Sequence, residues 1–394
     1  MRLSFGLPTP SNSTWIGRLY DPPEKALWTL ESTAITGDAV SLSYVRTKHP
    51  AGCANSNRSR MPFLEVNDLE TTFSMPGGVV HAVNGVSFSL EKGRVYALLG
   101  ESGSGKSVTL RSILRVLPQR RTQVSGEVWL DGVNLLSLPE AEMRDVRGRR
   151  VSMIFQEPIA AFDPIFTCGK QIDEAIVRHQ KVTRKEASKK TKELLQMVQI
   201  PDADRRVRAY PHELSGGMRQ RMMIAGALSC DPDILLADEP TTSLDVTVQA
   251  QILALMRDLQ QRLGMAMIFV THDLGVVAEV ADEVAVMYAG RIVEYGPVGE
   301  VLKNPAHPYT QGLLNALVRG THEKNRLVPI PGVPPDLSRL PVGCSFAPRC
   351  PYVNDQCLQS IPSDHLVNKQ HGARCIMVKE GVGLLTPVPA VNPN

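Results

Sequence analysis

The sequence has no long hydrophobic run. Nowhere in its 394 residues do about 18 apolar residues follow one another, which is the minimum for a membrane-spanning helix. The most apolar region, from Gly264 to Gly290, is interrupted by ionisable side chains at His272, Asp273, Glu279, Asp282 and Glu283. The mean hydropathy of the whole chain is −0.10, which is ordinary for a globular protein with a sizeable core. If this protein works at a membrane, separate subunits must therefore cross it.

The sequence also has little net charge and no secretion signal. A formal charge of +3 is too small to indicate nucleic-acid binding. The basic stretches near 147–150 and 181–192 are interleaved with acids, so we interpret them as solvated helical faces. Residues 1–60 lack the apolar core of a signal peptide. We expect Met61 to be the natural start, and the preceding segment to be either disordered or an artefact of gene calling.

From Phe63 to Asn304 the chain alternates strand-like and helix-like stretches. This alternation predicts an α/β fold with a largely parallel sheet. We expect buried strands at 95–99, 234–237 and 267–270, and a polar helical subdomain at about 168–210. After Pro305 the chain becomes Pro-rich. The predicted organisation is one domain at 61–304 and a C-terminal extension at 305–394.

Residues 100–107 carry the first chemical motif. They fit G-x-x-x-x-G-K-[ST], directly after the first buried strand and before a helix predicted over 108–117. In such a loop, backbone N–H groups turn inward around an anion and the helix N-terminus adds positive potential. Lys106 is predicted to reach the β- and γ-phosphates, and Ser107 to bind Mg²⁺. The predicted nucleotide-binding residues are Gly100, Ser102, Gly103, Ser104, Gly105, Lys106 and Ser107.

The apolar strand 234–237 ends in two acids, Asp238 and Glu239. Two carboxylates at the mouth of a buried strand are costly unless they meet a cation or a positioned water. Asp238 is therefore predicted to belong to the Mg²⁺ site. Glu239 suits the general base that orients the attacking water. Alone this pattern is weak, since such acids often only cap a helix, but downstream of a phosphate loop it is strong.

Residues 214–221 read Leu-Ser-Gly-Gly-Met-Arg-Gln-Arg. This segment resembles the signature of ABC ATPases, in the form found in peptide-transporter ATPases. A serine and two glycines opening a helix can make a second phosphate site. The resemblance implies that Ser215, Gly216 and Gly217 cap the ATP held by the phosphate loop of an opposing subunit. The alternative is a simple helix cap by Ser215.

The same family resemblance implies roles for four more residues. Gln156 resembles the Q-loop glutamine, which touches Mg²⁺ and the membrane subunits, and it is predicted to act in hydrolysis with Glu239 and His272. Asp245, in Ser-Leu-Asp, resembles the D-loop at the dimer interface, and His272 resembles the switch histidine at the γ-phosphate. Phe73 stands 27 residues before Gly100, where the family usually has the aromatic side chain that stacks on adenine.

The resemblance covers Phe63 to about Cys375, and the tail is similar to that of the oligopeptide and dipeptide importer subfamily. It implies a RecA-like α/β core, an antiparallel β subdomain, a helical signature subdomain and a Cys-containing C-terminal extension. It further implies ATP hydrolysis at the cytoplasmic face of the inner membrane, with a paralogous second ATPase, two permease subunits and an extracytoplasmic solute-binding protein. The rival interpretation is a soluble ABC ATPase acting on nucleic acid or ribosomes. Such proteins usually carry two cassettes or a coiled-coil insertion, and this sequence has neither.

Four of the seven cysteines lie near the C-terminus, at Cys344, Cys350, Cys357 and Cys375, with the spacing C-x5-C-x6-C-x17-C. In a reducing compartment such a group favours a metal site over disulfides. Structural zinc usually uses a tight pair of cysteines, which is missing here. We therefore predict a [4Fe–4S] cluster, held by the four thiolates. Zinc and free or oxidised cysteines are the alternatives.

Overall fold

The structure, a computed structural model, describes residues 28–30, 44–46, 62–158, 161–242, 244–318 and 329–378. The chain divides into two units, Met1–Met61 and Pro62–Asn394. In the first unit, β1 (Trp28–Leu30) pairs with β2 (Tyr44–Arg46) in antiparallel register. The prediction of disorder for 1–60 otherwise falls outside the described residues.

The second unit alternates strands and helices, as the sequence predicts. Its strands are β3 (Leu64–Met75), β4 (Gly78–Leu90), β5 (Val95–Leu99), β6 (Thr122–Leu130), β7 (Val133–Asn134), β8 (Val151–Ile154), β9 (Ile234–Asp238), β10 (Ala266–Thr271), β11 (Glu283–Tyr288), β12 (Arg291–Pro297), β13 (His365–Leu366) and β14 (Gly372–Ala373). Its helices are α1 (Lys106–Ile113), α2 (Glu140–Val146), α3 (Cys168–Gln180), α4 (Arg184–Met197), α5 (Ala203–Arg206), α6 (Gly216–Leu228), α7 (Val246–Leu263), α8 (Leu274–Val280), α9 (Val298–Lys303), α10 (Pro308–Val318) and α11 (Asp355–Gln359). Short 3₁₀ turns lie at Leu135–Ser137, Pro211–Glu213 and Ala347–Arg349.

The larger sheet has the strand order β13-β14-β12-β11-β5-β10-β9-β8. Strands β8, β9, β10, β5 and β11 run parallel to one another, whereas β12 pairs antiparallel with β11 and with β14, and β13 pairs antiparallel with β14. Every residue of β5, β9 and β10 is buried, which explains their continuous apolar sequences. The three predicted strands are therefore confirmed. Because parallel strands end at the same edge, the segments that follow β5, β8, β9 and β10 can meet there.

A second sheet, ordered β4-β3-β6-β7, is antiparallel throughout. Its buried side chains, such as Leu64, Val66 and Val128, share one core with α1 and one face of the larger sheet. Tyr96 lies in this core and stacks on Phe88, with ring centroids 4.9 Å apart. Tyr96 is therefore a buried core residue.

The opposite face of the larger sheet packs against the helical region. Side chains of α3, α4, α6 and α7 form one core with Ala237 and Phe269 of the sheet. Within the described residues, none of the helices combines the length and the apolarity that crossing a membrane requires.

Helix α1 differs from its predicted bounds. We expected 108–117, but the helix begins at Lys106, because the phosphate loop leads directly into its first turn. It ends at Ile113, since Arg115 adopts a left-handed conformation with φ +52° that a helix cannot continue.

The C-terminal extension returns to the larger sheet. Strand β14 pairs with β12, and β13 pairs with β14, so the extension lengthens that sheet at one edge. Tyr309 and Phe346 of the extension are buried against Tyr288 at the end of β11, with ring centroids 4.7 and 5.2 Å away. The extension therefore shares one apolar cluster with strands β5 and β11 of the larger sheet.

Candidate nucleotide-binding and hydrolysis site

The phosphate loop joins the buried strand β5 to α1. A Cβ added at Gly100 would lie 2.3 Å from the carbonyl oxygen of Met287, and one added at Gly105 would lie 2.4 Å from that of Ala82. Both glycines are therefore needed because neighbouring backbone approaches so closely. The hydroxyl of Ser104 is buried and has no hydrogen-bond partner among the described residues. A loop of this kind, with an unused buried donor, fits an anionic ligand.

Lys106 lies under this loop and is 4% exposed. Its Nζ donates to the carbonyl oxygens of Gly100 and Glu101, at 2.8 and 3.0 Å. Burial lowers the pKa of Lys106, and the carboxylates of Glu239, Asp238 and Glu101 act in the opposite direction. The ammonium group therefore lies inside the loop, where water screens it little and its attraction to a bound phosphate would be strong.

Ser107 and Asp238 meet, as their predicted Mg²⁺ roles require. The Ser107 hydroxyl donates to Oδ1 of Asp238 at 2.6 Å, and Arg111 lies 3.4 Å from Oδ2. Burial raises the pKa of the Asp238 carboxyl, while the bonds from Ser107 and Arg111 oppose the rise. Hydroxyl and carboxylate oxygens at this spacing are the hard ligands that Mg²⁺ prefers.

Three segments converge on the Glu239 carboxylate. Its Oε2 accepts from Nε2 of Gln156 at 3.2 Å and from the Thr242 hydroxyl at 2.9 Å. The Nδ1 of His272 lies 3.5 Å from the same oxygen. Glu239 has φ +45°, a conformation that residues with side chains seldom adopt, and such strain is typical of functional sites. The structure therefore brings together Gln156, Glu239 and His272, the three residues predicted for hydrolysis.

The signature serine begins α6. Ser215 is its N-cap residue, and its hydroxyl accepts from the backbone N–H of Met218 at 3.4 Å. A Cβ at Gly217 would lie 2.9 Å from a methyl group of Val248 on α7, so this glycine permits the two helices to approach. Both the cap interpretation and a phosphate-binding helix terminus are compatible with this geometry.

Asp245 and Phe73 lie elsewhere. Asp245 is the N-cap residue of α7, where its carboxylate accepts from Val248 N–H at 2.9 Å. Phe73 is half-buried on β3, opposite Val80 and Thr122. No contact in the structure tests their predicted nucleotide roles.

Sequence reasoning missed several residues at this site. Thr242 lies three positions after Glu239, and its small hydroxyl side chain was the only local signal. Arg111 lies one helical turn after Ser107, on the same face of α1, so the helical period could have identified it. Arg349 of the extension contacts Glu101 of the phosphate loop across 248 positions, and nothing in the sequence indicates that contact.

The four C-terminal cysteines lie in the described extension. Cys357 and Cys375 are buried, Cys344 and Cys350 are half-buried, and all four are free thiols. Burial and, to a smaller extent, charge on the other three thiols raise the pKa of the Cys350 thiol to about 11. The four side chains thus influence one another. Even so, no group of three or more His, Cys, Asp or Glu in the described ranges is arranged to hold a metal ion. The geometry therefore does not support the predicted [4Fe–4S] cluster or its zinc alternative.

Two family models match the chain. Residues 83–242 match the model described as ABC transporter. Residues 293–357 match the model of the oligopeptide/dipeptide transporter C-terminal region. The first match spans the phosphate loop, the signature and Glu239, while the second ends at Cys357.

Curated relatives match over most of their length. A probable peptide ABC transporter ATP-binding protein of Sinorhizobium fredii is 50% identical over 331 residues, covering 84% of this chain and 99% of the relative. A dipeptide transport ATP-binding protein of Bacillus subtilis is 48% identical over 313 residues, covering 79% of this chain and 93% of that protein. An oligopeptide transport ATP-binding protein of the same organism is 46% identical, covering 83% and 92%.

Solved structures agree with these matches. The dimeric structure of an ATP-binding cassette in a post-hydrolysis state, bound to ADP and Pi, superimposes with a TM-score of 0.54 at 26% identity. It covers 60% of this chain and 98% of that one. The fold and the site together define an ATP-hydrolysing cassette protein. The chain belongs to the ABC transporter family, as one of its ATP-binding proteins, so the predicted family and fold are confirmed.

Proposed function

We propose that this chain is the ATP-hydrolysing subunit of an importer for oligopeptides or dipeptides. One observation carries the proposal: a phosphate loop and a Gln156–Glu239–His272 cluster occur in the same chain as an oligopeptide/dipeptide transporter C-terminal region. Relatives named as peptide import or transport proteins share about half of its residues. None of the relatives named above is described as acting on nucleic acid, so nothing favours that alternative.

In this proposal the phosphate loop binds ATP. Lys106 turns from the Gly100 and Glu101 carbonyls to the β- and γ-phosphates, and backbone N–H groups of residues 102–105 hold the phosphate oxygens. Ser107, Asp238 and Gln156 would hold Mg²⁺, which neutralises phosphate charge when bound. A cation at this position favours the ionised form of Asp238 and so opposes the effect of burial on its pKa.

Glu239 then acts as the general base that orients the attacking water. Its carboxylate is kept in one position by Thr242 and Gln156, so the free lone pairs of the carboxylate point in a defined direction. His272 is 56% exposed beside Glu239, which leaves its ring accessible to the γ-phosphate. Phe73 is proposed to stack on adenine.

The signature is proposed to act on the ATP of a second subunit, which we propose to be a paralogue of this chain. Ser215, Gly216 and Gly217 present the N-terminus of α6 to that nucleotide, and Asp245 lies at the interface between the two cassettes. Each hydrolysis site is then complete only in the dimer, so an isolated chain is expected to hydrolyse ATP slowly.

A groove on the helical region is the proposed docking site for a membrane subunit. It encloses about 590 Å³ and is lined by residues of α3 and of the segment before it, among them Phe166, Lys170 and Val177. Phe166 is 52% exposed and Ile165 is 74% exposed, although both are large and apolar. Such a patch, on the segment that follows Gln156 in the chain, suits a partner that responds to the nucleotide. Two permease subunits and an extracytoplasmic solute-binding protein complete the proposed importer, with this chain at the cytoplasmic face of the membrane.

The domain boundaries remain part of the proposal. Residues 61–304 form the nucleotide-binding domain, with a helical subdomain at about 168–210, and residues 305–394 form the extension. Residues 1–60 are proposed to be dispensable, so a chain that begins at Met61 should keep full ATPase activity.

The cysteines are proposed to bind metal, with a [4Fe–4S] cluster as the first choice and zinc as the second. The support is the spacing of the four cysteines in the sequence alone, because no group of such side chains in the described residues is arranged to hold a metal ion. Anaerobically purified protein should contain about four irons per chain for a cluster, or one zinc for the alternative. Protein free of both metals would disprove the proposal.

Transport itself is tested with the complete assembly. The chain, its paralogue, both permease subunits and the solute-binding protein encoded alongside are reconstituted in liposomes, and uptake of a labelled dipeptide and a labelled pentapeptide is followed. Uptake that requires ATP and disappears in the Glu239→Gln complex is the expected result. Binding to ribosomes or nucleic acid, with no association with the permease subunits, would instead establish the rival function.

A further inference from the structure

The C-terminal extension makes an ion pair with the phosphate loop. Two guanidinium nitrogens of Arg349 lie 2.8 and 3.1 Å from the two carboxylate oxygens of Glu101, the second residue of the loop. This is the bidentate arrangement in which arginine binds a carboxylate most strongly. The Arg349 side chain is 4% exposed and that of Glu101 is 30% exposed, so the pair is shielded from salt on one side.

Arg349 is also held by neutral partners of its own. Its Nε donates to the Pro331 carbonyl at 2.9 Å, and its other nitrogens reach the Ile330 carbonyl at 3.4 Å and the Tyr288 hydroxyl at 3.3 Å. The guanidinium lies over the Tyr288 ring, 5.7 Å from its centroid. Because these contacts do not involve Glu101, the arginine keeps its position when the carboxylate changes.

The backbone of Glu101 is held by the extension as well. Its N–H donates to the Tyr309 hydroxyl at 2.9 Å. Tyr309 is buried against Tyr288 and Phe346, so its hydroxyl cannot move freely. Both the main chain and the side chain of Glu101 are therefore attached to residues that lie more than 200 positions away, 208 and 248 respectively.

A carboxylate in a phosphate-binding loop presents an electrostatic difficulty. Glu101 lies in the loop that must accept a triphosphate, and its charge repels that ligand unless it is neutralised. The positive charge of Arg349 offsets the negative charge of Glu101 through their bidentate ion pair.

We propose that Arg349 is a positioning residue for ATP: it neutralises Glu101 and holds the phosphate loop in its binding conformation, so that the C-terminal extension sets the nucleotide affinity. This inference rests on the proposed role of the loop in binding ATP. The hydrogen bonds of Arg349 go to Glu101, Pro331, Ile330 and Tyr288 and to none of the residues assigned to hydrolysis. We therefore expect the effect on KM and not on kcat.

The test is a double-mutant cycle in the assembled transporter, with ATP affinity measured by titration and KM and kcat by phosphate release. Arg349→Ala should raise the dissociation constant and KM for ATP about tenfold, in the range usual for coupling between sites, with kcat nearly unchanged. Glu101→Gln should leave ATP affinity equal or higher, because the repelling charge is removed while Arg349 keeps its neutral partners. The double variant Arg349→Ala/Glu101→Gln should recover most of the affinity.

The direction of the change in ATP affinity for each variant distinguishes a positioning role of Arg349 from a merely structural contact. If the pair only stabilised the fold, both single variants would weaken ATP binding and the double variant would not recover. That pattern would overturn the proposal. Arg349→Lys, which keeps the charge but not the fork, should fall between wild type and Arg349→Ala.

Two controls keep the outcomes distinct. Arg339→Ala removes an exposed arginine of the same extension and should change neither KM nor kcat. Lys106→Ala tests the loop itself: if it leaves ATP affinity unchanged, the proposed site is wrong. If Lys106→Ala weakens binding and Arg349→Ala does not, only the inference about Arg349 is wrong. Because Arg349 is buried, Arg349→Ala can also destabilise the fold. The Glu101→Gln variant tests the proposal with Arg349 still in place.

Discussion

Replacing Glu239 by glutamine separates the binding of ATP from its hydrolysis. The Glu239 Oε2 accepts from Gln156 and from Thr242, at 3.2 and 2.9 Å, and a glutamine carbonyl oxygen can take the same position and accept the same bonds. The side chain keeps its size, so the strained backbone at φ +45° is not disturbed further. What is lost is the negative charge that attracts a proton from water. The change therefore removes the base and leaves its surroundings in place.

The expected loss of turnover is about 10²- to 10⁴-fold, which corresponds to about 3–5 kcal/mol in the barrier. The dissociation constant for ATP should change little, since Lys106 and the loop are untouched. Hydrolysis is measured by phosphate release in the assembled transporter, and binding by titration with ATP. Glu300→Gln, the same change at an exposed residue of α9, is the matched control and should behave as wild type. Turnover within a few-fold of wild type in Glu239→Gln would refute the assignment of Glu239 as the base.

Three further predictions concern the loop and the buried histidine. Lys106→Ala should abolish measurable ATP binding by titration, because it removes the one buried ammonium group at the loop; retained binding would contradict its role. Gly105→Ala should lower the melting temperature and prevent nucleotide binding, since its Cβ would lie 2.4 Å from the Ala82 carbonyl oxygen, whereas Gly299→Ala, with open space around it, should do neither. Burial lowers the pKa of His307 to about 3, whereas in the unfolded chain this histidine binds a proton near pH 6.5. The folded state is therefore fully stable above pH 6.5 and loses stability as the pH falls towards 3, because only the unfolded chain binds the proton in that range. Between pH 6.5 and 5, wild type should lose about 1.6 kcal/mol more unfolding free energy than His307→Asn in urea titrations, and equal losses would contradict this account.

The Gln156–Glu239–His272 cluster was predictable because each member follows a buried strand. The strands β8, β9 and β10 are neighbours in the sheet, so residues just past their carboxyl ends must meet at one edge. Short motifs such as the phosphate loop are likewise local, since one turn and the first turn of a helix contain all their contacts. The fold class, the family and the meeting of these three side chains were therefore determined by the sequence alone.

The bounds of α1 and the position of the extension were decided by the tertiary structure. A helix end depends on single backbone conformations, such as the left-handed Arg115, which periodicity does not detect. The extension was predicted as a Cys-containing tail, but it adds strands to the main sheet and buries Tyr309 and Phe346 against it. The ion pair between Arg349 and Glu101 joins residues 248 positions apart. No pattern within a sequence window contains such a pair, because its two members are brought together only when the whole chain packs.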